Sequence, residues 1–460
     1  MYKLDFNTPA KLHFTGIGGI SMSALAEIML SKNFTVTGSD NKESDMTRHL
    51  EQAGATVYIG QRASNVADDV DVLIYTAAVK QDNPELVQAK EKNIPLLTRA
   101  EFLGQMMKNY NTAIGVAGTH GKTTTTSLLS QIMLEADLDP TILVGGIMPT
   151  ISGNTRIGHS DKMITEACEY TNSFLSFAPS IGIILNVAED HLDFFKDIND
   201  IRNSFKKYAE LIPADGLLVI NGDIDNVNFF TDGLSCNVLT VGKDAGTNDF
   251  SATNISFNDF ACPSFDLIFR GENKGRVTLN VTGIHNVYNS LAAIATAYFL
   301  GVDFDTTVAA LSHCSGAERR FQFKGKVGNV TIIDDYAHHP DEIKATLTTA
   351  KNYPHKTTWC VFQPHTYTRT KALMNEFADA LSLADKVVLA DIYAARETDT
   401  LGISSQTLQK KIQESGHEAY YFSSFDEIEN FLLKNCIDND MVITMGAGDV
   451  YKIGEKLLGQ

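Results

Sequence analysis

The sequence predicts an α/β protein of three domains: a Rossmann-like N-terminal domain, a central P-loop-type α/β domain carrying a small antiparallel sheet, and a second Rossmann-like domain at the C-terminal end. Three observations predict it. The opening stretch alternates strand, glycine turn, apolar-periodic helix and strand. The stretch Gly115–Thr126, GVAGTHGKTTTT, follows the apolar run Thr112–Ala117 and leads into LLSQIMLEA, again a strand, a glycine turn and a helix start. Beyond residue 330, four short apolar runs each pass through a polar loop into a helical pattern. With 460 residues the chain is long for one core, and about 150 residues per domain gives about three. The boundaries fall at 1–108, 109–313 and 314–460.

Taken in order, Lys11–Thr15 (KLHFT) reads as the first strand, GIGGIS as a turn, MSALAEIMLS as a helix, and Phe34–Gly38 as the second strand, ending at Ser39-Asp40. Gly16-x-Gly18-x-x-Ser21 has the spacing of a dinucleotide fingerprint with serine in the third place, and Asp40 lies about where a ribose-binding acid would. The same glycines would also serve close packing of strand on helix. Strands at Val72–Thr76 and near Ile94–Leu97 complete the domain, which ends near Met107 at the polar break KNYN. The central domain has further strands at Met163–Thr165 and Ile181–Asn186. Alternating runs at Phe265–Phe269 and Arg276–Val281 predict the antiparallel sheet. GIHNVYNSLAAIATAYFLG reads as a long helix opened by Gly283, with Asn286 and Asn289 on one face near its start. The third domain opens at GAERRFQ. Its strands Val330–Asp334, Thr358–Phe362, Lys386–Ala390 and Met441–Met445 lead into DDYAHHPDE, QPHTYTRT, DIYAARE and GAGDVYKIGEKLL. GAGDV is a turn open either to an anion or to close packing.

A formal net charge of −18 argues against nonspecific binding of nucleic acid or anionic membrane, so a polyanionic ligand must be held by local basic groups. The six cysteines form no CxxC pair, which fits reduced thiols and a cytoplasmic setting. MYKLDFNTPAKLHF lacks the pattern of a signal peptide, and no apolar stretch is long enough for a membrane span.

In the central turn, the N–H groups of Gly121 and Lys122 would face phosphate oxygens. The Lys122 ammonium would neutralise them, and the hydroxyl of Thr123 or Thr124 would reach a magnesium ion. The strict GxxxxGK[ST] spacing needs glycine at 116, where this chain has Val116, so the compact GTHGKT form remains. On this reading Lys122→Ala abolishes turnover and leaves the fold intact. Glu166 and Glu169 follow one strand, and Glu189, Asp190 and His191 follow another, at the edge where open α/β sheets bind ligands. A magnesium ion between phosphates needs only one or two carboxylates from protein, which makes Glu166 the leading ligand with His191 beside it.

The blocks HFTGIGGISMSALA, TGSD, GTHGKTTTT, EACEYTNSFL, NVAEDHLD, GIHNVYN, ERRFQ, DDYAHHP, QPHTYTRT and GAGDV together resemble, in order and over essentially the whole chain, the Mur ligase family. The resemblance implies ATP-dependent joining of a carboxylate to an amino acid's amine in peptidoglycan precursor synthesis. The best match within it implies transfer of L-alanine to the lactyl carboxylate of UDP-N-acetylmuramate through an acyl phosphate, giving ADP and phosphate. It places the ATP phosphates on Gly118, Thr119, His120, Gly121, Lys122, Thr123 and Thr124, and Mg2+ on Thr123, Glu166 and His191. Asn286 would read the adenine, Asp335 the ATP ribose, and Arg320 would approach the transferred phosphate, giving Lys122, Glu166, His191 and Arg320 as the catalytic set. Gly16, Gly18 and Gly19, with Ser39, Asp40 and Arg99, would hold the UDP-sugar. His365 and Arg369, with Tyr336 and His338 nearby, would receive the amino acid. Many members carry arginine after the histidine of QPH, whereas this chain has Thr366 and leaves Arg369 as the carboxylate clamp.

Other readings compete. A nicotinamide-dependent dehydrogenase would use Gly16–Ser21 and Asp40 and leave the GTHGKTTTT turn without a purpose. A GTPase-type switch needs an NKxD element, and the chain offers only Asn41-Lys42-Glu43-Ser44. A recycling ligase that adds an intact peptide to the same sugar shares most of the motifs. Monomer and dimer are both open.

Overall fold

The computed structural model describes residues 2–395 and 397–460. They form two compact units: the chain up to Val187 with Ile201–Thr240 and Ala295–Val302, and Ala188–Asp200 with Val241–Ile294 and Asp303–Gln460. No helix among the described residues is long and apolar enough to cross a membrane.

The first unit opens with a five-stranded parallel sheet in the order Thr56–Ile59, Thr35–Asp40, Lys11–Thr15, Val72–Tyr75, Leu96–Thr98. KLHFT sits at its centre, with Leu12 and Phe14 fully buried. The chain builds outward on one side of this strand and then on the other, which puts the switch point beside the turn that follows it. The second strand starts at Thr35 and runs to Asp40, beyond the expected Gly38, because Ser39 pairs with Thr15 and turns its side chain inward. The helix Ile20–Ser31 buries Met22, Leu25, Ile28 and Met29.

A second, larger sheet contributes to the same unit the neighbouring strands Leu217–Asn221, Ile181–Ile184, Thr112–Ala117, Lys162–Glu166, Thr141–Met148, Gly153–Arg156, in that order, parallel except for the last pair. Thr112–Ala117 is central and buried on both faces, hence its unbroken apolar run. Gly115 is needed there because the buried Tyr208 hydroxyl donates to its carbonyl at 2.8 Å and would collide with a Cβ.

The second unit contains the expected antiparallel sheet, Phe250–Phe257, Pro263–Phe269 and Glu272–Thr278. Its third strand begins four residues before the expected Arg276. A tight turn with positive φ at Arg270 and Gly271 pairs Phe269 with Glu272, and the strand is too exposed to show alternation. The helix Ile284–Phe299 follows. The last sheet runs Gln322–Val327, Val330–Asp335, Met441–Met445, Thr358–Phe362, Lys386–Leu389, Glu418–Tyr421, parallel except for the first pair. Alternate residues face two cores, Ile333, Cys360, Phe362 and Ile443 on one side and Ile332, Trp359, Val361 and Val442 on the other.

Within the first unit, the helix Arg99–Met107 packs against Tyr170–Ser176 so closely that a Cβ on Gly104 would fall on the Ser176 carbonyl. Backbone cannot yield as a flexible side chain can. Gly104→Ala should therefore destabilise the protein by about 1–3 kcal/mol, read as a lowered denaturation midpoint in urea; an unchanged midpoint would refute this packing.

Candidate active site

The helix Lys122–Glu135 starts directly after Gly121, whose left-handed φ of 86° turns the chain from strand to helix. Gly118, at φ 145°, approaches Leu185 so closely that a Cβ there would lie 2.9 Å from the Leu185 Cβ. Asn186 clamps the loop between them. Its Oδ1 accepts the His120 N–H at 2.8 Å, its Nδ2 donates to the His120 carbonyl at 2.9 Å, and its own carbonyl accepts the Thr119 N–H at 3.2 Å. The loop is thus shaped with the helix N-terminus behind it, an arrangement suited to an anion.

Lys122 is folded back over this loop. Its Nζ donates to the carbonyls of Gly118 at 2.5 Å and Thr119 at 3.1 Å and meets Glu169 Oε2 at 3.0 Å. Burial disfavours the ammonium, but the carboxylate of Glu169, with Cys168 and Glu166 behind it, outweighs burial and holds the group above the ordinary lysine range. The lysine stays charged. Glu166 ends the strand Lys162–Glu166, and its Oε1 accepts the Gly145 N–H at 2.5 Å. Thr123 and Thr124 are buried in the first turn of the helix.

In the first sheet, the Gly16 and Ile17 N–H groups donate to the Ser39 carbonyl at 2.8 and 2.9 Å. The Gly18 N–H donates to Asp40 Oδ2 at 2.9 Å, and Gly19 closes the turn with its N–H on the Gly16 carbonyl at 3.3 Å. Arg99 reaches the Ser21 hydroxyl at 3.1 Å. Gly16, Gly18, Gly19, Asp40, Ser21 and Arg99 are thus brought together. Ser39 takes part only through its backbone, for its hydroxyl points into the core and donates to Glu85.

The second unit carries the remaining residues. Asp190 Oδ1 accepts the His191 N–H at 2.7 Å and lies 3.3 Å from Arg369 Nη2. Burial opposes its charge, yet His191, Arg369 and His339 hold its carboxyl down at about 2. Arg369 Nη1 also lies 3.4 Å from His365 Nδ1. The His365 ring stacks on Tyr393 at 5.6 Å and meets His338 edge-on at 5.7 Å, and His338 meets Tyr336 at 5.5 Å. The sequence-predicted group of Tyr336, His338, His365 and Arg369 is therefore one cluster. Burial first, and then Arg369, push His365 down to about 4, and burial also lowers His338 to about 4 against the pull of Glu342. Both rings are neutral at pH 7. Arg320 lies over the Tyr336 ring at 5.3 Å.

Asp335 is buried and accepts from the N–H groups of Ala337 and Phe321 at 2.8 and 2.9 Å and from Thr346 Oγ1 at 3.0 Å. Burial raises its carboxyl to about 6 against the pull of Arg320 and these donors. Asn286 is tied to the residues before its helix by Nδ2, which donates to the Thr282 carbonyl, and its Oδ1 accepts from Asn289, both at 2.8 Å. At GAGDV the Gly446 and Gly448 carbonyls accept from Arg319 at 2.7 and 3.4 Å, so this turn presents acceptors to a guanidinium and serves close packing.

Three stretches match known domains: residues 11–111 the Mur ligase family catalytic domain, 116–297 the Mur ligase middle domain and 319–448 the Mur ligase glutamate ligase domain. A UDP-N-acetylmuramate–L-alanine ligase from Lachnospira eligens is 58% identical over 458 residues, spanning 100% of both chains. One of the same name from Agathobacter rectalis is 56% identical, again over 100% of both. The chain belongs to the Mur ligase family. Among solved structures this Mur ligase is similar to the UDP-N-acetylmuramate–alanine ligase of Thermotoga maritima, at 30% identity and TM-score 0.80, and to a murein peptide ligase of Psychrobacter arcticus, at 26% identity and TM-score 0.70, each covering 98% of both chains.

The sequence placed Glu169 and Asp190 at the ligand edge of the sheet but not in their structural roles, as partners of Lys122 and Arg369. Asn186 and Arg319, which clamp the Gly118–Lys122 loop and the Gly446 turn, lie inside the stretches read, and nothing in their local pattern shows that role. Glu169 also revises an expectation. Its side chain is 3% exposed, so removing Lys122 takes the paired ammonium away from a buried carboxylate, and a loss of stability is the expected result. Lys122→Ala should cost about 3–5 kcal/mol of stability, and adding Glu169→Gln should recover part of it, in a urea-denaturation double-mutant cycle; additive losses would deny the coupling.

Proposed function

We propose that this Mur ligase joins L-alanine to the lactyl carboxylate of UDP-N-acetylmuramate at the expense of ATP. The observation that carries the reading is the 58% identity, over the full length of both chains, to a relative of that name. The Lys122 turn is its physical counterpart. A recycling ligase that adds an intact peptide is the second reading, and it is the less favoured: the murein peptide ligase structure shares only 26% identity with this chain.

A carboxylate is a poor electrophile because oxide is a poor leaving group. The lactyl carboxylate therefore attacks the γ-phosphorus of ATP, the bond to ADP breaks, and an acyl phosphate results. The neutral amine of alanine then adds to its carbonyl carbon, phosphate departs, and the amine's proton is lost to solvent. The first step brings two anions together, so cations must screen and align them. Lys122 supplies one on a loop, Gly118–Thr124, whose backbone is already fixed. Arg320 is the second, on the transferred phosphate, with Asn286 and Asp335 assigned to adenine and ribose. Thr123, Glu166 and His191 offer the oxygen and imidazole donors that would hold magnesium. The Glu166 carboxylate fits such an ion: no described residue donates to its Oε2, which leaves a hard oxygen at the strand end. Bound there, the ion would screen the phosphate charge.

The glycine turn Gly16–Gly19, with Asp40 and Arg99, is assigned to the UDP-sugar. Arg369 is assigned to the carboxylate of alanine. Its two contacts are long, at 3.3 and 3.4 Å, and a guanidinium has five N–H donors, so donors remain for a bidentate grip without the arginine that Thr366 replaces. Neutral His338 and His365 add no charge to repel the amino acid's ammonium.

Two measurements test this. Phosphate release with UDP-N-acetylmuramate should be faster with L-alanine than with L-Ala-γ-D-Glu-diaminopimelate; the reverse order would establish the recycling reading. Arg369→Ala should raise KM for alanine at least about tenfold, the worth of a charged hydrogen bond, with KM for ATP nearly unchanged. An equal rise in both would remove Arg369 from the amino-acid pocket.

A further inference from the structure

One carboxylate packed against the N-terminal sheet is bonded almost entirely to the surroundings of the glycine turn. Glu85, in the first turn of the helix Pro84–Glu91, is fully buried. Its Oε2 accepts from the hydroxyls of Thr15 and Ser39, each at 2.7 Å, and lies 3.3 Å from His13 Nε2; its Oε1 accepts from Asn65 Nδ2 at 2.7 Å. Thr15 directly precedes Gly16. The Ser39 carbonyl receives the Gly16 and Ile17 N–H groups. Asn65 donates as well to the Gly60 carbonyl at 2.9 Å, and the Gly60 N–H donates to the Asp40 carbonyl at 2.7 Å. Asp40 in turn accepts the Gly18 N–H through its carboxylate. A single side chain thereby ties together the carboxyl ends of Lys11–Thr15 and Thr35–Asp40 and the turn after Thr56–Ile59, the edge at which a sheet of this order receives a ligand.

An apolar residue of the same size would fill this space without the penalty of desolvating a charge. What it would lack is the capacity to accept from several donors at once and so lock three backbone segments to one another. Burial alone would neutralise Glu85, yet its neighbours His13, Ser39 and Asn65 hold the carboxyl below its ordinary range.

We infer that Glu85 is a positioning residue for the UDP-sugar site, setting the shape of the Gly16–Gly19 turn and the place of Asp40 through Thr15, Ser39 and Asn65. The inference rests on the assignment of that turn to the UDP-sugar.

The test uses the full-length chain. Calorimetric titration with UDP-N-acetylmuramate and steady-state phosphate release are measured for the unmodified protein, Glu85→Gln and Asn65→Ala. Glu85→Gln keeps the shape and loses the acceptor charge. It should weaken UDP-sugar binding and raise the KM for that substrate about tenfold, while kcat and the KM values for ATP and alanine stay within about twofold. Asn65→Ala, which removes only the Gly60 arm, should give a smaller loss of the same sign, and it carries the test if Glu85→Gln does not fold. Unchanged UDP-sugar affinity in a folded variant, or an equal change in all three KM values, overturns the inference. Absence of UDP-sugar binding by the unmodified protein overturns the assignment of the turn, and the positioning role with it.

Discussion

The pairing of Lys122 with Glu169 keeps an ammonium charged and pointed while it sits largely out of water, both of which the phosphate role proposed for it requires. The Gly118 and Thr119 carbonyls take two of its protons and the nearly buried carboxylate stabilises the charge. Much else in the first unit follows from this arrangement. The strand Thr112–Ala117 has to be central so that partners approach its carboxyl end from both sides. Lys162–Glu166 delivers Glu166 and, just beyond it, Glu169, while Ile181–Ile184 delivers Asn186 to clamp the loop. Gly121 has to adopt the left-handed conformation that lets the helix begin at the lysine itself.

The same device recurs at the other strand ends. In the first sheet Glu85 fixes the glycine turn. In the last sheet Asp334 accepts from Arg319 Nε at 2.8 Å, and that arginine, lying over the rings of Tyr336 and Tyr451, also ties down the Gly446 turn. Strand carboxyl ends feed loops whose backbone groups have lost the ladder. An ionised side chain nearby satisfies several of them at once, and charge-assisted bonds are about twice as strong as neutral ones. Such loops can be rigid without being covered by apolar residues, which leaves them accessible.

Charge distribution fits the same picture. The net charge of −18 repels polyanions from most of the surface, so binding depends on a few cations whose alternatives have been removed. Lys122 and Arg369 are each held near a buried or half-buried carboxylate, Glu169 and Asp190. A carboxylate partner keeps an arginine or lysine oriented, and long contacts, as at Arg369, leave N–H donors over, which its proposed grip on alanine needs.

The α/β class, about half of the strands, the GTHGKT turn and the family were legible in the sequence. All of them depend on local periodicity and on residues adjacent in the chain: Thr112–Ala117 and Met441–Met445 were read to the residue because strands buried on both faces leave an unbroken apolar run. Gln322–Val327 and Glu418–Tyr421 were not, being short, half-exposed edge strands with little pattern to read. What the sequence did not contain was which polar side chains turn inward. Ser39 reads as a ligand residue beside Asp40 until the fold brings Glu85, 46 positions away, against its hydroxyl. A carboxylate's partners are chosen by through-space proximity across strands and helices, and only the tertiary structure decides whether it faces a ligand or holds the backbone that does.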